Sequence, residues 1–406
     1  MAVRVRKHKS DLVILFSILT LMAIGAVVIY AIGPMRANVL NSAYGMDYES
    51  DYFFKHHLLS LALALAVFFI TFKLIPYEKV SKFAKWIIIA ALAASVLLWF
   101  LSGSSLVSCE LGACRWFKFG SISFQPAEFL KIALVIYLAN FIGRKKEEGK
   151  IGTKDFWLPI ILVCGLSLFL VIVKQSDLGT GLAIIAIILA MLLVSDIPMK
   201  QFLIVIGTIA AAGVAVIAIT PYRLQRVITF IGGGDDTSSY HVENAMMAIG
   251  TGGFFGVGVG NSVQATGYLP ESINDSVFAV MGETFGFVGL LAVLLIFATI
   301  LFRMLKVAGG TEDMECRLIT IGIFAWMLMH VVANIMSMTG LIPVTGVTLP
   351  LLSYGGTSMI FISFGLGLVQ QLSCYTGREI KVGKNEDISS RRGIGGSRNT
   401  SRRRGA

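Results

Sequence analysis

The chain has 406 residues, 56% of them hydrophobic and only 14% charged, with a net charge of +10. That balance describes a molecule solvated by lipid and argues against a water-soluble globular enzyme. Its five histidines and five cysteines share no repeated spacing, which argues against a protein-built zinc cage.

Ten apolar runs follow one another, each near the roughly 20 residues of helix that cross a bilayer core. They predict spans at 12–33, 53–74, 84–102, 124–143, 156–174, 178–195, 202–220, 277–301, 317–339 and 357–375. The expected fold is an all-α polytopic membrane protein with about ten transmembrane helices. The first run is span-length and lacks a small-residue cleavage site, so it reads as an uncleaved anchor. Basic residues occupy the N-terminus (Arg4, Arg6, Lys7, Lys9) and then alternate loops: Lys73, Lys79 and Lys82; Arg144, Lys145, Lys146, Lys150 and Lys154; Lys200; Arg303 and Lys306. Short basic loops stay cytoplasmic, so both termini are placed inside. Loops 34–52, 103–123, 221–276 and 340–356 then face outward, and 221–276, between spans seven and eight, is the largest. The chain divides into a cytoplasmic N-terminus (1–11), a transmembrane domain (12–376) and a tail (377–406). From Arg378 onward the tail holds nine Lys or Arg against three acids, about +6 of the total charge. It is expected to be disordered, either as a solvated topology anchor or as an attractor of anionic headgroups or a cytoplasmic partner. No folded module or aromatic interleaving accompanies this charge, so nucleic acid is not an expected partner.

Three outward stretches carry polar motifs. In the first, Cys109 and Cys114 share a loop and are disulfide candidates where that side is oxidising. Arg115 and Lys118 follow, two cations suited to an anionic ligand such as a lipid phosphate. Pro126 fits the first turn of the next helix. Glu128 and Lys131 then share one face at i, i+3. They are either a neutralising pair that lets the helix insert or the wall of a polar cavity. In the second stretch, Asp177 starts a helix, as its N-cap or aimed at the same cavity. In the third, residues 240–249 have helical apolar spacing suited to the bilayer surface. The glycines of 250–260 lack the βαβ setting of a dinucleotide loop. They read instead as positive-φ turns and close backbone approach. Asp275 stands where this loop meets the span beginning at 277. A carboxylate at that lip costs free energy unless it binds or transfers something, which makes it the leading catalytic candidate.

Taken in order, these motifs resemble the SEDS family, the shape, elongation, division and sporulation proteins. The residues that carry the resemblance are Arg115-Trp, Phe124-Gln-Pro-Ala-Glu-Phe-Leu-Lys131, Gln175-Ser-Asp-Leu-Gly-Thr180, Gly256-Val-Gly-Val-Gly-Asn-Ser262, Tyr268-Leu-Pro-Glu271 with Asp275, and Asn334 through Ser358. The block Gly340 to Ser358 is the most specific, and the resemblance spans the first run to about Leu372. It implies a ten-span peptidoglycan glycosyltransferase that polymerises lipid II at the outer face of the cytoplasmic membrane. It also implies a class B penicillin-binding protein, a transpeptidase, as partner, together with other divisome membrane proteins. By motif position the family's essential outer-loop acid falls on Asp275, its intramembrane pair on Glu128 and Lys131, and its outer-loop arginine on Arg115. The form of residues 258–262 is closer to the division branch, at the septum, than to the elongation branch. Asn274, Ser276, Val263, Ala265, Thr284, His241 and His330 depart from the common pattern.

The expected chemistry joins sugars from a pyrophosphate-linked donor. A base takes the proton of the attacking hydroxyl, and cations stabilise the departing undecaprenyl pyrophosphate. Asp275 is that base, or else the ligand of a divalent cation, magnesium or manganese. Arg115, Lys118 and Lys131 meet the pyrophosphate, with Glu128 and Asp177 completing the binding residues. A base without a covalent step implies inversion, and the reaction calls for no nucleotide or organic cofactor. Two other classes remain open: a flippase of lipid-linked precursor using Glu128, Lys131 and Asp177 as its polar path, and a scaffold that would not need Asp275.

Overall fold

The structure is a computed structural model describing residues 9–110, 113–120, 122–232 and 237–375. The basic tail expected at 377–406 and the first eight residues lie outside these. Each of the ten apolar runs forms a helix: α1 (Leu12–Tyr44), α2 (Tyr52–Lys73), α4 (Ala84–Phe100), α5 (Pro126–Glu147), α6 (Lys154–Leu168), α7 (Leu178–Val194), α8 (Met199–Ile219), α11 (Val277–Gly309), α12 (Met314–Met338) and α13 (Gly356–Leu372). A short α3 (Tyr77–Lys82) turns the chain between α2 and α4. Eight of the ten are long and apolar enough to cross a membrane, with α6 extended to Lys174 by a π-helical turn, and α4 and α7 are apolar helices of 17 residues.

Two loops differ from expectation. Residues 34–44 were expected to be loop, but α1 continues through Pro34 to Tyr44. Proline removes a single backbone donor, and the helix stops only where Gly45 turns left-handed (φ 64°) and its N–H caps Asn41 O at 3.1 Å. The outward segment 103–123 contains a three-stranded antiparallel sheet, β1 (Val107–Glu110), β2 (Ala113–Phe119) and β3 (Ile122–Phe124). A Cys109–Cys114 disulfide ties β1 to β2. In the large outer segment, α9 (Pro221–Gly232) precedes α10 (Thr237–Gly252), which covers the helical stretch read at 240–249.

Helices α5, α12 and α13 are the inner ones, buried along most of their length, whereas α8 buries only Phe202. Where α1 begins, the Arg303 guanidinium bonds Asp11 at 2.6 Å, and Gln370 Nε2 donates to the Asp11 carbonyl at 2.9 Å. This pins the start of α1 to the ends of α11 and α13.

Within its first three turns, α11 breaks at Gly286, whose φ is 67°. The main-chain groups freed there are taken up by the glycine loop: Val257 N–H and Gly258 N–H donate to the carbonyls of Glu283 and Thr284 at 2.9 and 3.1 Å. In return, Phe287 N–H donates to Gly253 O at 2.9 Å. Such pairing meets the demand that backbone groups near hydrocarbon find partners within the protein. It also requires the glycine at 256, where φ is 80° and a Cβ would stand 2.2 Å from Thr284 O.

Candidate active site

Asp275 lies one residue before the N-cap of α11 and is 7% exposed. Its main-chain carbonyl accepts from Asn334 Nδ2 of α12 at 2.6 Å, and the same amide nitrogen bonds Val347 O at 2.7 Å. Tyr354 N–H bonds Ile273 O at 2.8 Å. The loop after α12 therefore holds the Asp275 segment from beneath. Beside it, Ser276 Oγ donates to Pro270 O at 2.8 Å and so accepts from His241 Nε2 at 2.6 Å. The His241 Nε2 therefore carries a proton, and burial lowers the pKa of this imidazole. Glu283 caps the turn at 262–264, accepting from Val263 N–H at 2.9 Å and from the Ser262 hydroxyl.

One carboxylate oxygen of Asp275, Oδ1, is enclosed without a hydrogen-bond partner. Burial raises the pKa from 3.8 to about 7; the charge of Glu271 adds to the rise, and the N–H groups of Asp275 and Ser276 oppose it. A carboxyl poised near neutrality with a free oxygen has the character of a general base.

Glu128 and Lys131 sit in the first two turns of α5. They are 4% and 0% exposed and bonded to each other at 2.8 Å. The pair is not isolated. His330 of α12 donates through Nδ1 to Thr348 O at 3.3 Å, which leaves Nε2 to accept from Lys131 Nζ at 3.0 Å and Trp326 Nε1 at 3.1 Å. The ammonium also stands 4.7 Å from the Trp326 ring centre. Glu128 Oε2 is enclosed and unpartnered, like Asp275 Oδ1.

Asp177 is the N-cap of α7, accepting from Thr180 N–H at 3.0 Å and Thr180 Oγ1 at 2.9 Å; it also bonds Gln125 Nε2 at 3.2 Å. Of its two expected roles the cap is present, together with a link to α5. The start of α7 packs on the loop after α12, where a Cβ on Gly179 would stand 2.5 Å from Val347 Cγ2. Thr357 Oγ1 bonds Ser123 O at 2.7 Å, which draws β3 to the start of α13.

Arg115 and Lys118 both lie on β2, but only Arg115 reaches the turn before α7. Its Nε and Nη2 donate to the carbonyls of Gln175 and Ser176 at 3.2 and 2.6 Å. Lys118 is exposed on the sheet. The starts of α5, α7, α11 and α13 thus meet around residues 340–356. Three of the four non-glycine residues with positive φ among the described residues fall here: Ser176 (51°), Glu271 (47°) and Leu351 (65°). Backbone strain of this kind concentrates at functional sites. Sequence reading did not find Trp326 or Arg223 as members, and Asn334 entered only as the start of the motif block running to Ser358. His330 and His241 were visible only as departures from a family pattern.

A profile of the family FTSW_RODA_SPOVE, described as "Cell cycle protein", matches residues 11–378. Stage V sporulation protein E of Bacillus subtilis is 32% identical over 375 residues, 91% of this chain and 99% of that protein. The "Probable peptidoglycan glycosyltransferase FtsW" of Tolumonas auensis is 32% identical over 347 residues, 84% of this chain and 88% of its own. Among solved structures, a chain from "Structural coordination of polymerization and crosslinking by a peptidoglycan synthase complex" superposes with a TM-score of 0.72 at 25% identity, covering 90% of this chain and 97% of that one. The rod shape determining protein RodA of Thermus thermophilus gives a TM-score of 0.63 at 24% identity, covering 91% and 98%.

Proposed function

The chain belongs to the FtsW, RodA and SpoVE family of cell cycle proteins, and from that premise we propose that it is a multi-pass membrane peptidoglycan glycosyltransferase polymerising lipid II at the outer face of the cytoplasmic membrane. The observation that carries the reading is Asp275: a buried carboxylate with one free oxygen and a pKa near 7, at the point where four outward helix starts meet. Glu128, Lys131, Asp177 and Asp275 all lie within two turns of an outward helix start. That placement supports a surface enzyme over a transporter with charges spread along a path.

In this mechanism Asp275 Oδ1 takes the proton of the attacking sugar hydroxyl. The hydroxyl oxygen forms its bond to the anomeric carbon as the bond from that carbon to the pyrophosphate oxygen breaks, with inversion. The leaving undecaprenyl pyrophosphate carries away the electron pair, and Arg115, Lys118 and Lys131 offset its charge. Glu128 and His330 hold the Lys131 ammonium in one position, so its field is preorganised. Among the described residues no cluster of three or more metal-ligating side chains occurs. Where a magnesium or manganese ion takes part, Asp275 would be the residue to hold it, in place of acting as the base, and the ion would supply charge neutralisation for the leaving group.

The relation to a peptidoglycan synthase complex supports a class B penicillin-binding protein as partner, and similarity to FtsW proteins supports a division role at the septum with other divisome proteins. The test is polymerisation of lipid II by the purified chain with such a partner. Loss in Asp275→Asn at normal folding is expected, and retained polymerisation in that variant would overturn the assignment.

A further inference from the structure

The turn from Ile172 to Ser176 joins α6 to α7 at the outward face, and its carbonyls attract more positive charge than the fold needs. Arg115 reaches it from β2, bonding Gln175 O and Ser176 O. Arg223 reaches it from α9, donating through Nη2 to Ile172 O. Lys174 belongs to the turn itself, its Nζ 3.9 Å from the centre of the Trp99 ring of α4. None of these three cations forms an ion pair with a carboxylate among the described residues. Asp177, the nearest acid in sequence, is committed to Thr180 and Gln125.

Helix-end carbonyls attract guanidinium groups, and one arginine would satisfy that role. Two guanidiniums and an ammonium on five residues exceed it. Arg223 is 8% exposed, and its pKa is lowered by burial and then by the charge of Arg115, the mark of like charges held close together. Three of the ten N–H donors on the two arginines are used by these carbonyls. No guanidinium nitrogen of Arg115 or Arg223 is both enclosed and unpartnered, so the remaining donors stay open to a ligand. In the same turn, Gln175 is 2% exposed, and both its amide oxygen and its amide nitrogen lack partners. Buried side-chain amides are normally bonded, so this one points to an absent group.

We infer that Arg115, Arg223 and Lys174, with the Gln175 amide, form a receptor for the pyrophosphate of a polyprenyl-linked sugar. Planar guanidiniums grip adjacent phosphate oxygens in pairs, which suits a pyrophosphate better than a single carboxylate. The apolar chain has its own place directly below: Ile172, whose carbonyl holds Arg223, also lines a groove of about 720 Å³ walled by Phe169 and Val173 on one side and Val216 and Ile217 of α8 on the other. This deepens the glycosyltransferase reading and rests on it. It adds Arg223, Lys174 and Gln175 to the substrate residues and leaves Lys118 at the rim.

The test is binding of undecaprenyl pyrophosphate to the purified full chain in zwitterionic nanodiscs. Undecaprenol, inorganic pyrophosphate and phosphatidylglycerol serve as competitors. Arg223→Gln and Lys174→Gln should each weaken binding by roughly tenfold or more, as loss of a charge-assisted contact does. They should also raise KM for lipid II while changing kcat by less than about twofold, the pattern of lost ground-state and transition-state binding alike. Inorganic pyrophosphate should compete, and undecaprenol should not.

Wild-type affinity in both variants would overturn the inference, and so would equal competition by undecaprenol. Equal competition by phosphatidylglycerol would reassign the receptor to a phospholipid headgroup and overturn the polyprenyl assignment. If Arg223→Gln fails to give a monodisperse protein, Lys174→Gln and Arg115→Lys decide the matter. Binding that depends on these residues in a chain that makes no polymer would sink the glycosyltransferase reading and keep the receptor. Polymerisation with unaltered binding in the variants would do the reverse.

Discussion

Replacing Asp275 by asparagine should abolish polymerisation and stabilise the fold at alkaline pH. The carboxyl titrates near 7 in the folded chain, against 3.8 for an ordinary aspartate, chiefly because it is buried. A folded pKa above the unfolded one means that the native state holds the proton more tightly. The group therefore costs nothing below about pH 4, destabilises increasingly as pH rises through the interval, and imposes its full cost above about pH 7. Roughly three units correspond to about 4 kcal/mol. Asparagine never carries the charge, but it leaves one amide N–H group where Oδ1 has no partner, at a cost of about 1–2 kcal/mol. The net gain at pH 8 is on the order of 2–3 kcal/mol. At pH 4 the sign reverses, since wild type then has a neutral carboxyl too. Thermal unfolding of the detergent-solubilised variant should show a midpoint a few degrees above wild type at pH 8 and no gain at pH 4. An unchanged or lower midpoint at pH 8 would refute the claim that the site stores a buried charge for chemistry.

Polymerisation by wild type should rise with pH, with an acid limb near 7 in kcat/KM, because only the deprotonated Asp275 accepts a proton; a flat profile between pH 5.5 and 8 contradicts this. Lys131→Met leaves Glu128 charged and buried, which should cost about 3–5 kcal/mol, and adding Glu128→Gln should restore most of it in the same unfolding assay. Asp177→Ala should lower stability by roughly 1–2 kcal/mol through loss of the α7 cap, with little change if the cap is idle. Gly256→Ala should prevent recovery of monodisperse protein, because its Cβ would overlap Thr284 O and the chain has no slack in the paired backbone; normal yield would show that the glycine loop is not fixed against α11.

The spans were legible because hydrocarbon imposes length and apolarity on every helix that crosses it, and all ten apolar runs became helices within a few residues of their expected starts. What failed were features that lipid does not dictate. The end of α1 was missed because the apolar run gives out near residue 33, while the helix itself stops only at Gly45. The sheet at 107–124 was missed because strands of three to seven residues leave little periodicity to read. In the site, Asp275, Glu128, Lys131 and Asp177 announced themselves as charges at the edges of apolar runs. Arg223 did not, since an arginine in a long polar loop carries no such signal until α9 folds it onto Ile172 O. His330 gains its meaning only from Lys131, 199 residues away, and Thr348.

The central claim is tested most directly by incubating fluorescent lipid II with the purified chain, a class B penicillin-binding protein and a divalent cation, comparing wild type with Asp275→Asn at matched folding. Long glycan strands from wild type alone are predicted. Polymer from Asp275→Asn would contradict the role given to this carboxylate, and movement of lipid II between leaflets without polymer from either protein would contradict the enzyme itself.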